Sequence, residues 1–216
     1  MTYRIASVFP APAEPPKPVK VLAFDQSTHC GWAILWPEMK RPEWGVLELR
    51  VAANGDETPM WRPLRAFIER AVHEHGVTDV FFEQPMMPNK HYPGTEHGQR
   101  QWMMCSVIQD NTDRLLGRSA EQVSASAWRK LFLGKGALKQ DDMAPGLKLD
   151  KAGHRRRSWK LNTMAKCAEW GWYVDNDNAA DALGIGVFGL STISQSFHAR
   201  QGPLFRRAEM EAQRIP

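Results

Sequence analysis

The sequence predicts an α/β domain built on one mixed β-sheet with helices packed against it. Short apolar runs, typical of strands, open the folded part of the chain. Further on, such runs alternate with longer segments whose apolar residues recur with a helical period. A run of strands followed by alternating helices and strands is the element order of an α/β domain.

The first three strands are predicted to form an antiparallel meander over 19–25, 31–36 and 44–49. The segment 58–74 repeats apolar residues at i, i+3 and i+4, which predicts a helix that ends at Gly76. The apolar run 77–83 is then a fourth, buried strand, stopped by Pro85. A helix between two strands favours placing them side by side and parallel.

The second half of the chain is predicted to be mainly helical. It holds a helix over 95–116, a fifth short strand over 120–126 and a helical turn from Trp128 that breaks at glycines. After a long loop rich in Gly, Pro and Lys, two more helices span about 157–170 and 177–190. A meander followed by a helix-linked parallel strand is the order found in ribonuclease H-like folds, here with a mixed five-stranded sheet.

The domain boundaries follow from composition. Residues 1–18 include a proline-rich stretch that cannot join a helix or a sheet interior, and they are predicted to form an extension. A chain of 216 residues with 43% hydrophobic content suits one packed domain, placed at 19–192 with a basic insertion at about 134–157. Residues 193–216 are assigned to a C-terminal tail.

Positive charge is concentrated in one segment of the chain. Residues 129–160 contain ten Lys or Arg against three Asp, a net of +7, so the remainder carries −3 of the total of +4. Such a segment on a mildly acidic body is typical of a surface that faces a polyanion, with nucleic acid the first candidate. A solvated basic loop without a dedicated partner explains the charge equally well.

The cysteines and the hydropathy pattern point to the cytoplasm. Three cysteines without any CxxC spacing argue against a disulfide framework and a zinc ribbon, and they favour a reducing compartment. No apolar run approaches the roughly 20 residues that a membrane span needs. We therefore expect a cytoplasmic protein without a membrane partner.

Two carboxylates stand at predicted strand ends. Asp25 closes the first strand and Glu83 closes the fourth. If these strands are adjacent and parallel, their carboxyl ends lie on the same edge of the sheet and bring the two side chains together. Carboxylates that meet in a partly desolvated cleft need a cation or a shared proton.

A third acidic patch opens the last helix. Asp181 lies one helical turn from Asp177 and Asn178, in a segment that is apolar on nearly every side. Capping of the helix N-terminus accounts for Asp175 or Asp177, but not for Asp181 in the second turn. Oxygen donors without His or Cys at ligand spacing suit Mg²⁺ or Mn²⁺. A pair of such ions about 4 Å apart would activate water and stabilise the leaving oxygen in phosphodiester cleavage.

Three motifs together carry a family resemblance. FDQSTHCGWA, FFEQP and DNAADALGI resemble, in this order and spacing, the acidic motifs of RuvC-like Holliday-junction resolvases, especially the phage and prophage branch. The stretch SASAWRKLFLGKG also resembles that branch, and the similarity spans about 19–190. It implies a ribonuclease H-like homodimer that binds four-way DNA junctions and nicks two strands symmetrically, using Mg²⁺ or Mn²⁺.

Carried over by position, the resemblance makes Asp25, Glu83 and Asp181 catalytic, metal-binding carboxylates. Asn178 joins them in the catalytic and metal-binding set, at a position where many members have Asp or His, and Asp177 is the candidate that compensates as a further metal ligand. Met86 follows the second motif, where the family can place an aromatic that stacks at the junction centre, and core packing explains Met86 equally well. The residues expected to contact DNA are Met86, Arg129, Lys130, Lys135, Arg155, Arg156, Arg157 and Lys160.

Two other functions stay open. FDQSTHCGWAIL also resembles the first phosphate-binding hairpin of actin-like and sugar-kinase ATPases, but nothing after Asp181 supplies the second glycine-rich loop that they need. A catalytically weak junction-binding protein is the second alternative, which Asn178 supports and the three carboxylates oppose.

The apolar residues of the helix at 95–116 and the tryptophans allow two structural interpretations. Trp102 and Trp128 are expected in the core or at a dimer contact. The apolar stripe of the helix suits core packing as well as the dimer contact that the resemblance requires; it comprises Trp102, Met103, Met104, Val107 and Ile108.

Overall fold

The computed structural model of the chain describes residues 18–85 and 96–198. Almost all of the predicted N-terminal extension and most of the predicted tail lie outside these residues, as does Met86. The strands are β1 (Val21–Asp25), β2 (His29–Leu35), β3 (Glu43–Glu48), β4 (Asp79–Glu83) and β5 (Glu121–Val123). The helices are α1 (Thr58–His73), α2 (Glu96–Leu116), α3 (Ala125–Leu133), α4 (Ala152–Glu169) and α5 (Asp177–Ile193), with a 3₁₀ turn at Gln140–Asp142.

The five strands form one mixed sheet in the order β3-β2-β1-β4-β5. β1, β2 and β3 pair antiparallel through short connections, whereas β4 pairs parallel with β1 and with β5. Helices α1 and α2 provide the long crossovers that parallel pairing requires. The predicted meander and the parallel neighbours β1 and β4 are confirmed.

Two apolar cores cover the two faces of the sheet. Along β1, Val21 and Ala23 face α5, while Leu22 and Phe24 face α1 and α2, and all four are fully buried. Helix α5 packs against β1 and β2 and is covered by α3 and α4. This double burial explains why α5 is apolar on nearly every side.

The boundaries of three predicted elements were wrong. The fifth strand covers only Glu121–Val123, because Ser124 caps α3 by accepting a hydrogen bond from the backbone N–H of Ala127. Helix α3 therefore starts at Ala125, ahead of Trp128. Helix α4 begins at Ala152 and not near 157, since its polar first turns carry no apolar stripe that sequence periodicity detects.

Helix α2 divides its apolar stripe between the core and the surface. Met104 and Ile108 are buried against the sheet, whereas the Met103 side chain is 46% exposed. Core packing therefore accounts for part of the stripe and leaves Met103 at the surface. Within 18–85 and 96–198, no helix combines the length and hydropathy needed to cross a bilayer.

Candidate active site: an acidic cleft with a basic wall

The three predicted carboxylates line one cleft at the carboxyl ends of the central strands. Asp25 is the last residue of β1, Glu83 is the last of β4, and Asp181 lies in the second turn of α5. The cleft encloses about 550 Å³. Its walls are formed by Asp25, Gln26, Glu83, Gln84, Pro85, Gln101, Ala125, Arg129, Arg155, Arg156, Trp159, Lys160, Asn178 and Asp181.

A close approach between α5 and β2 brings Asp181 to the two strand-end carboxylates. Gly31 pairs with Asp25 across β1 and β2, and a Cβ atom on Gly31 would overlap the backbone carbonyl of Asn178. The side-chain amide of Asn178 donates a hydrogen bond of 2.7 Å to the carbonyl of His29. The absence of a side chain at Gly31 thus lets the start of α5 lie directly on the sheet.

The N-cap of α5 differs from the sequence prediction. Asn176, and neither Asp175 nor Asp177, caps the helix, because its side-chain oxygen accepts from the backbone N–H groups of Asn178 and Ala179. Asp177 is the first helical residue, and its carboxylate pairs with the ammonium of Lys160.

Burial and mutual repulsion dominate the electrostatics of the cleft. Burial raises the pKa of Asp25 well above its ordinary value, and the charges of Asp181 and Glu83 raise it further. Burial, followed by the charge of Glu83, raises the pKa of Asp181 to about 6. Lys160 and Arg129 partly offset both shifts. Ionising these acids together therefore requires additional positive charge.

Among the described residues that line the cleft, one buried carboxylate oxygen has no hydrogen-bond partner. The Oδ1 atom of Asp181 is buried and finds no donor among residues 18–85 and 96–198. An unpaired buried carboxylate oxygen costs several kcal/mol unless a cation or a proton satisfies it, on the order of the penalty for removing one partner of a buried ion pair. This oxygen is the strongest indication of where a cation belongs.

Trp128 and Arg129 hold the Glu83 carboxylate. The indole Nε1 of Trp128 donates a 2.7 Å hydrogen bond to Oε2 of Glu83, and a guanidinium nitrogen of Arg129 lies 3.8 Å from the same oxygen. The guanidinium also lies over the rings of Trp128 and Trp159, 4.9 and 5.0 Å from their centroids. The prediction that Trp128 is buried is confirmed, but its bond to Glu83 was missed.

Gln26 is a second residue whose role in the site the sequence did not predict. Its side chain is 2% exposed, its amide N–H group donates to the backbone carbonyl of Glu83, and it also contacts the Cys105 sulfur at 3.4 Å. The side chain of Gln101 donates to the Gln26 carbonyl at 3.3 Å. Gln26 thereby ties the end of β1 to the end of β4. Its place directly after Asp25, in a buried run, was the available signal.

Half of the predicted DNA-contacting residues form the basic wall of the cleft, namely Arg129, Arg155, Arg156 and Lys160. Lys130 and Arg157 are exposed and do not line it. Lys135 pairs with Asp142 at 2.5 Å, and Met86 lies outside the described residues. Asn178 lines the cleft, whereas Asp177 does not.

The residues of the cleft suit a hard divalent cation in their chemistry. All donors are oxygens, and the unpaired Oδ1 of Asp181 lies beside the repelling charges of Glu83 and Asp25. Across the two described ranges, no three His, Cys, Asp or Glu side chains stand arranged around one point as ligands. Since Trp128 engages Glu83 and Lys160 engages Asp177, Asp25 and Asp181 are the carboxylates best placed to hold an ion.

The fold and the position of the cleft define a class. A sheet of order β3-β2-β1-β4-β5 with only β2 antiparallel to its neighbours, covered by helices on both faces, is the ribonuclease H-like fold. Acidic residues at the ends of its two central strands mark the cleft.

Comparison with solved structures shows which known protein has a similar fold. RuvC of Thermus thermophilus superposes with a TM-score of 0.54 at 15% sequence identity, covering 85% of this chain and 97% of RuvC. A structure of T. thermophilus RuvC in complex with Holliday junction substrate gives a TM-score of 0.55 at 13% identity, covering 85% and 96% of the two chains. No protein-family model and no curated protein matches the sequence. The chain therefore has a RuvC-like fold, and the phage and prophage branch stays a prediction.

Proposed function

We propose that the chain is a divalent-metal-dependent DNA endonuclease that resolves four-way junctions by paired, symmetric nicks. The proposal rests on one observation. The carboxylates of Asp25, Glu83 and Asp181 line the same cleft as a wall of basic side chains. Acidic residues that repel one another are suited to a cation, and basic residues beside them are suited to a phosphate. The RuvC-like fold supports a junction as the substrate, since RuvC itself was solved with one.

The basic wall would bind the DNA backbone. Arg155 and Arg156 are exposed on α4 and line the cleft, so they can attract phosphates from solvent. Arg129 is held more rigidly, between two indole rings and beside Glu83. Its planar guanidinium can bind a phosphate through two hydrogen bonds, which places the scissile bond next to the carboxylates. These contacts give affinity and register without reading sequence.

Asp25 and Asp181 would hold the metal ion, with the amide oxygen of Asn178 nearby. When bound, the ion supplies Lewis-acid polarisation of the scissile phosphodiester. Glu83 lines the same cleft in an orientation fixed by Trp128, where it can accept a proton from an attacking water. Gln26 keeps the two strand ends that carry Asp25 and Glu83 in register.

Paired nicks require two active sites, so we propose a homodimer. Helix α2 supplies the candidate contact, because Met103 is exposed while its neighbour Met104 is buried. Sedimentation of the full chain and of Met103→Glu tests this contact. We expect a dimer for the full chain and a shift toward monomer for the variant, because a buried charge disfavours association.

The decisive experiment is cleavage of a labelled synthetic four-way junction and a linear duplex of matched sequence, with and without Mg²⁺. We expect metal-dependent, symmetric nicking of the junction by the wild-type chain and none by Asp25→Asn. Junction binding without cleavage in either Mg²⁺ or Mn²⁺ would favour the junction-binding alternative. A chain that neither binds nor cleaves either DNA would contradict a nuclease function. The ATPase alternative would then be the one to test.

A further inference from the structure

The carboxylates of the site and the cations paired with them do not balance in charge without a metal ion. Counted as ionised, the carboxylates of Asp25, Glu83, Asp177 and Asp181 carry four negative charges. Among the described residues, Lys160 and Arg129 are the cations that pair with these carboxylates, and their two positive charges leave a formal −2. Arg155 and Arg156 also line the cleft, but they are exposed and form no ion pair with the four carboxylates. One divalent ion neutralises that remainder.

Lys160 already occupies the position of a counter-ion. Its ammonium pairs with Asp177, and its side chain also lines the cleft. Its charge acts on Asp25 and Asp181 as well, so it lies within electrostatic reach of all three aspartates. Asp177 is consequently engaged and is not available as a free metal ligand.

Asn178 does not replace Asp177 as a charged ligand for a second ion. It is neutral, and its amide N–H group is committed to the carbonyl of His29 at 2.7 Å. The part of α5 that would complete a second ion site therefore offers one neutral oxygen and one carboxylate already paired with Lys160. Hard divalent ions are held chiefly by carboxylates, so this set favours a single ion.

We propose that the site holds one divalent ion, at Asp25 and Asp181, and that the Lys160 ammonium beside Asp177 takes the place of a second ion. The inference rests on the proposed metal-dependent function and departs from the pair of ions that the oxygen donors of the sequence were predicted to bind. It assigns Lys160 to charge balance within the carboxylate cluster in addition to any contact with DNA.

The test is the number of Mn²⁺ ions bound per chain, measured from the loss of the free-ion electron paramagnetic resonance signal without DNA. We expect one ion for the wild-type chain. Lys160→Met frees Asp177 and lowers the formal charge to −3, so we expect two. The double variant Lys160→Met with Asp177→Asn should return to one.

Lys166→Met is the matched control. Lys166 lies on the same helix but pairs with Glu169 and does not line the cleft, so it should keep one ion. Circular dichroism verifies folding, and Lys160→Gln replaces Lys160→Met if the latter does not fold, with two ions again expected.

The outcomes separate the two proposals. Two ions in the wild type, or one ion both in the wild type and in the Lys160 variant, would overturn the inference while leaving a metal-dependent nuclease intact. No bound ion in the wild type would overturn the proposed function together with it.

Discussion

The indole N–H of Trp128 donates a 2.7 Å hydrogen bond to the carboxylate of Glu83. The ring of Trp128 is fully buried, and a Cβ atom on Gly184 of α5 would lie 2.6 Å from it. The glycine thus leaves room for an indole whose far side is in the core and whose nitrogen reaches the cleft. Packing between α3 and α5 therefore fixes the orientation of a proposed catalytic side chain.

Replacing Trp128 by Phe should affect catalysis more than DNA binding, because it alters the orientation of the Glu83 carboxylate. The change removes the indole N–H group that donates to Glu83 and replaces the indole by a smaller phenyl ring. We expect a loss of about 1.5–3 kcal/mol in the free energy of unfolding, the range for hydrogen bonds to charged groups. We also expect about a tenfold fall in kcat for junction cleavage, equivalent to ~1.4 kcal/mol in the barrier. Denaturant unfolding and cleavage kinetics measure these two effects, and the junction Kd should change less than kcat, because phenylalanine keeps an aromatic ring beside Arg129.

Trp102→Phe provides the control for that variant. The Nε1 atom of Trp102 is buried and has no hydrogen-bond acceptor within the ranges 18–85 and 96–198. Removing it should leave kcat at the wild-type value. An equal fall in kcat for both variants would show that bulk packing, and not the bond to Glu83, sets the rate.

Gly31→Ala should separate α5 from the sheet. The added methyl group would overlap the backbone carbonyl of Asn178, which cannot move like the end of a flexible side chain. Overpacking of this kind typically costs about 1–3 kcal/mol, and we expect the upper part of that range by urea unfolding. Mn²⁺ binding should weaken as well, because Asp181 is carried by the displaced helix.

Gly153→Ala is the matched substitution for Gly31→Ala. Gly153 lies in α4, and a Cβ atom there meets nothing within 4 Å. Alanine favours helix over glycine by up to about 1 kcal/mol, so this variant should be unchanged or slightly more stable. If Gly31→Ala unfolds at the same urea concentration as Gly153→Ala, the close approach at Asn178 is not required.

The stability of the metal-free chain should fall as pH rises from about 4 to about 7. Burial raises the pKa of Asp181 to about 6, so in this window the folded state binds more protons than the unfolded state. The stabilising contribution is complete below the unfolded pKa and is lost as pH passes the folded value. A shift of about two units corresponds to at most about 3 kcal/mol.

Chemical denaturation at a series of pH values measures this slope. Asp181→Asn should flatten it and stabilise the chain at pH 7, since the buried charge is gone. Asp113→Asn, which alters an exposed carboxylate on α2, should leave the slope in place. Stability that rises between pH 5 and pH 7 in the metal-free wild type would contradict the burial of ionisable Asp181.

Arg156→Ala should weaken binding to junction and duplex DNA by similar factors. Arg156 lines the cleft, and a phosphate contact carries no sequence information. The slope of log Kd against log salt should decrease in magnitude by about one, the change expected for losing one phosphate contact. Fluorescence anisotropy at several salt concentrations measures both effects.

Arg157→Ala tests whether the effect of an arginine on DNA binding depends on its position on α4. Arg157 is the next residue along the helix, is exposed and does not line the cleft. The salt slope of this variant should match the wild type. Equal losses for Arg156→Ala and Arg157→Ala would indicate a diffuse basic surface in place of a defined wall.

The amino-acid sequence by itself determined the strand order of the sheet centre and the carboxylates at its edge. Apolar periodicity marked β1 and β4, and the helix between them made parallel pairing the expected arrangement. Asp25 and Glu83 end those strands, so their meeting followed from local pattern and connection length alone. The apolar surroundings of Asp181 similarly indicated a buried acid in α5.

Only the tertiary structure decided what surrounds those carboxylates. The contact between Trp128 and Glu83 joins residues 45 positions apart, and the pair of Lys160 and Asp177 joins two helices. Such contacts depend on the angles at which α3, α4 and α5 cross the sheet, which are set by side-chain packing and by the glycines at close approaches. Periodicity along the chain records which face of an element is buried, but it does not record which partner that face will meet.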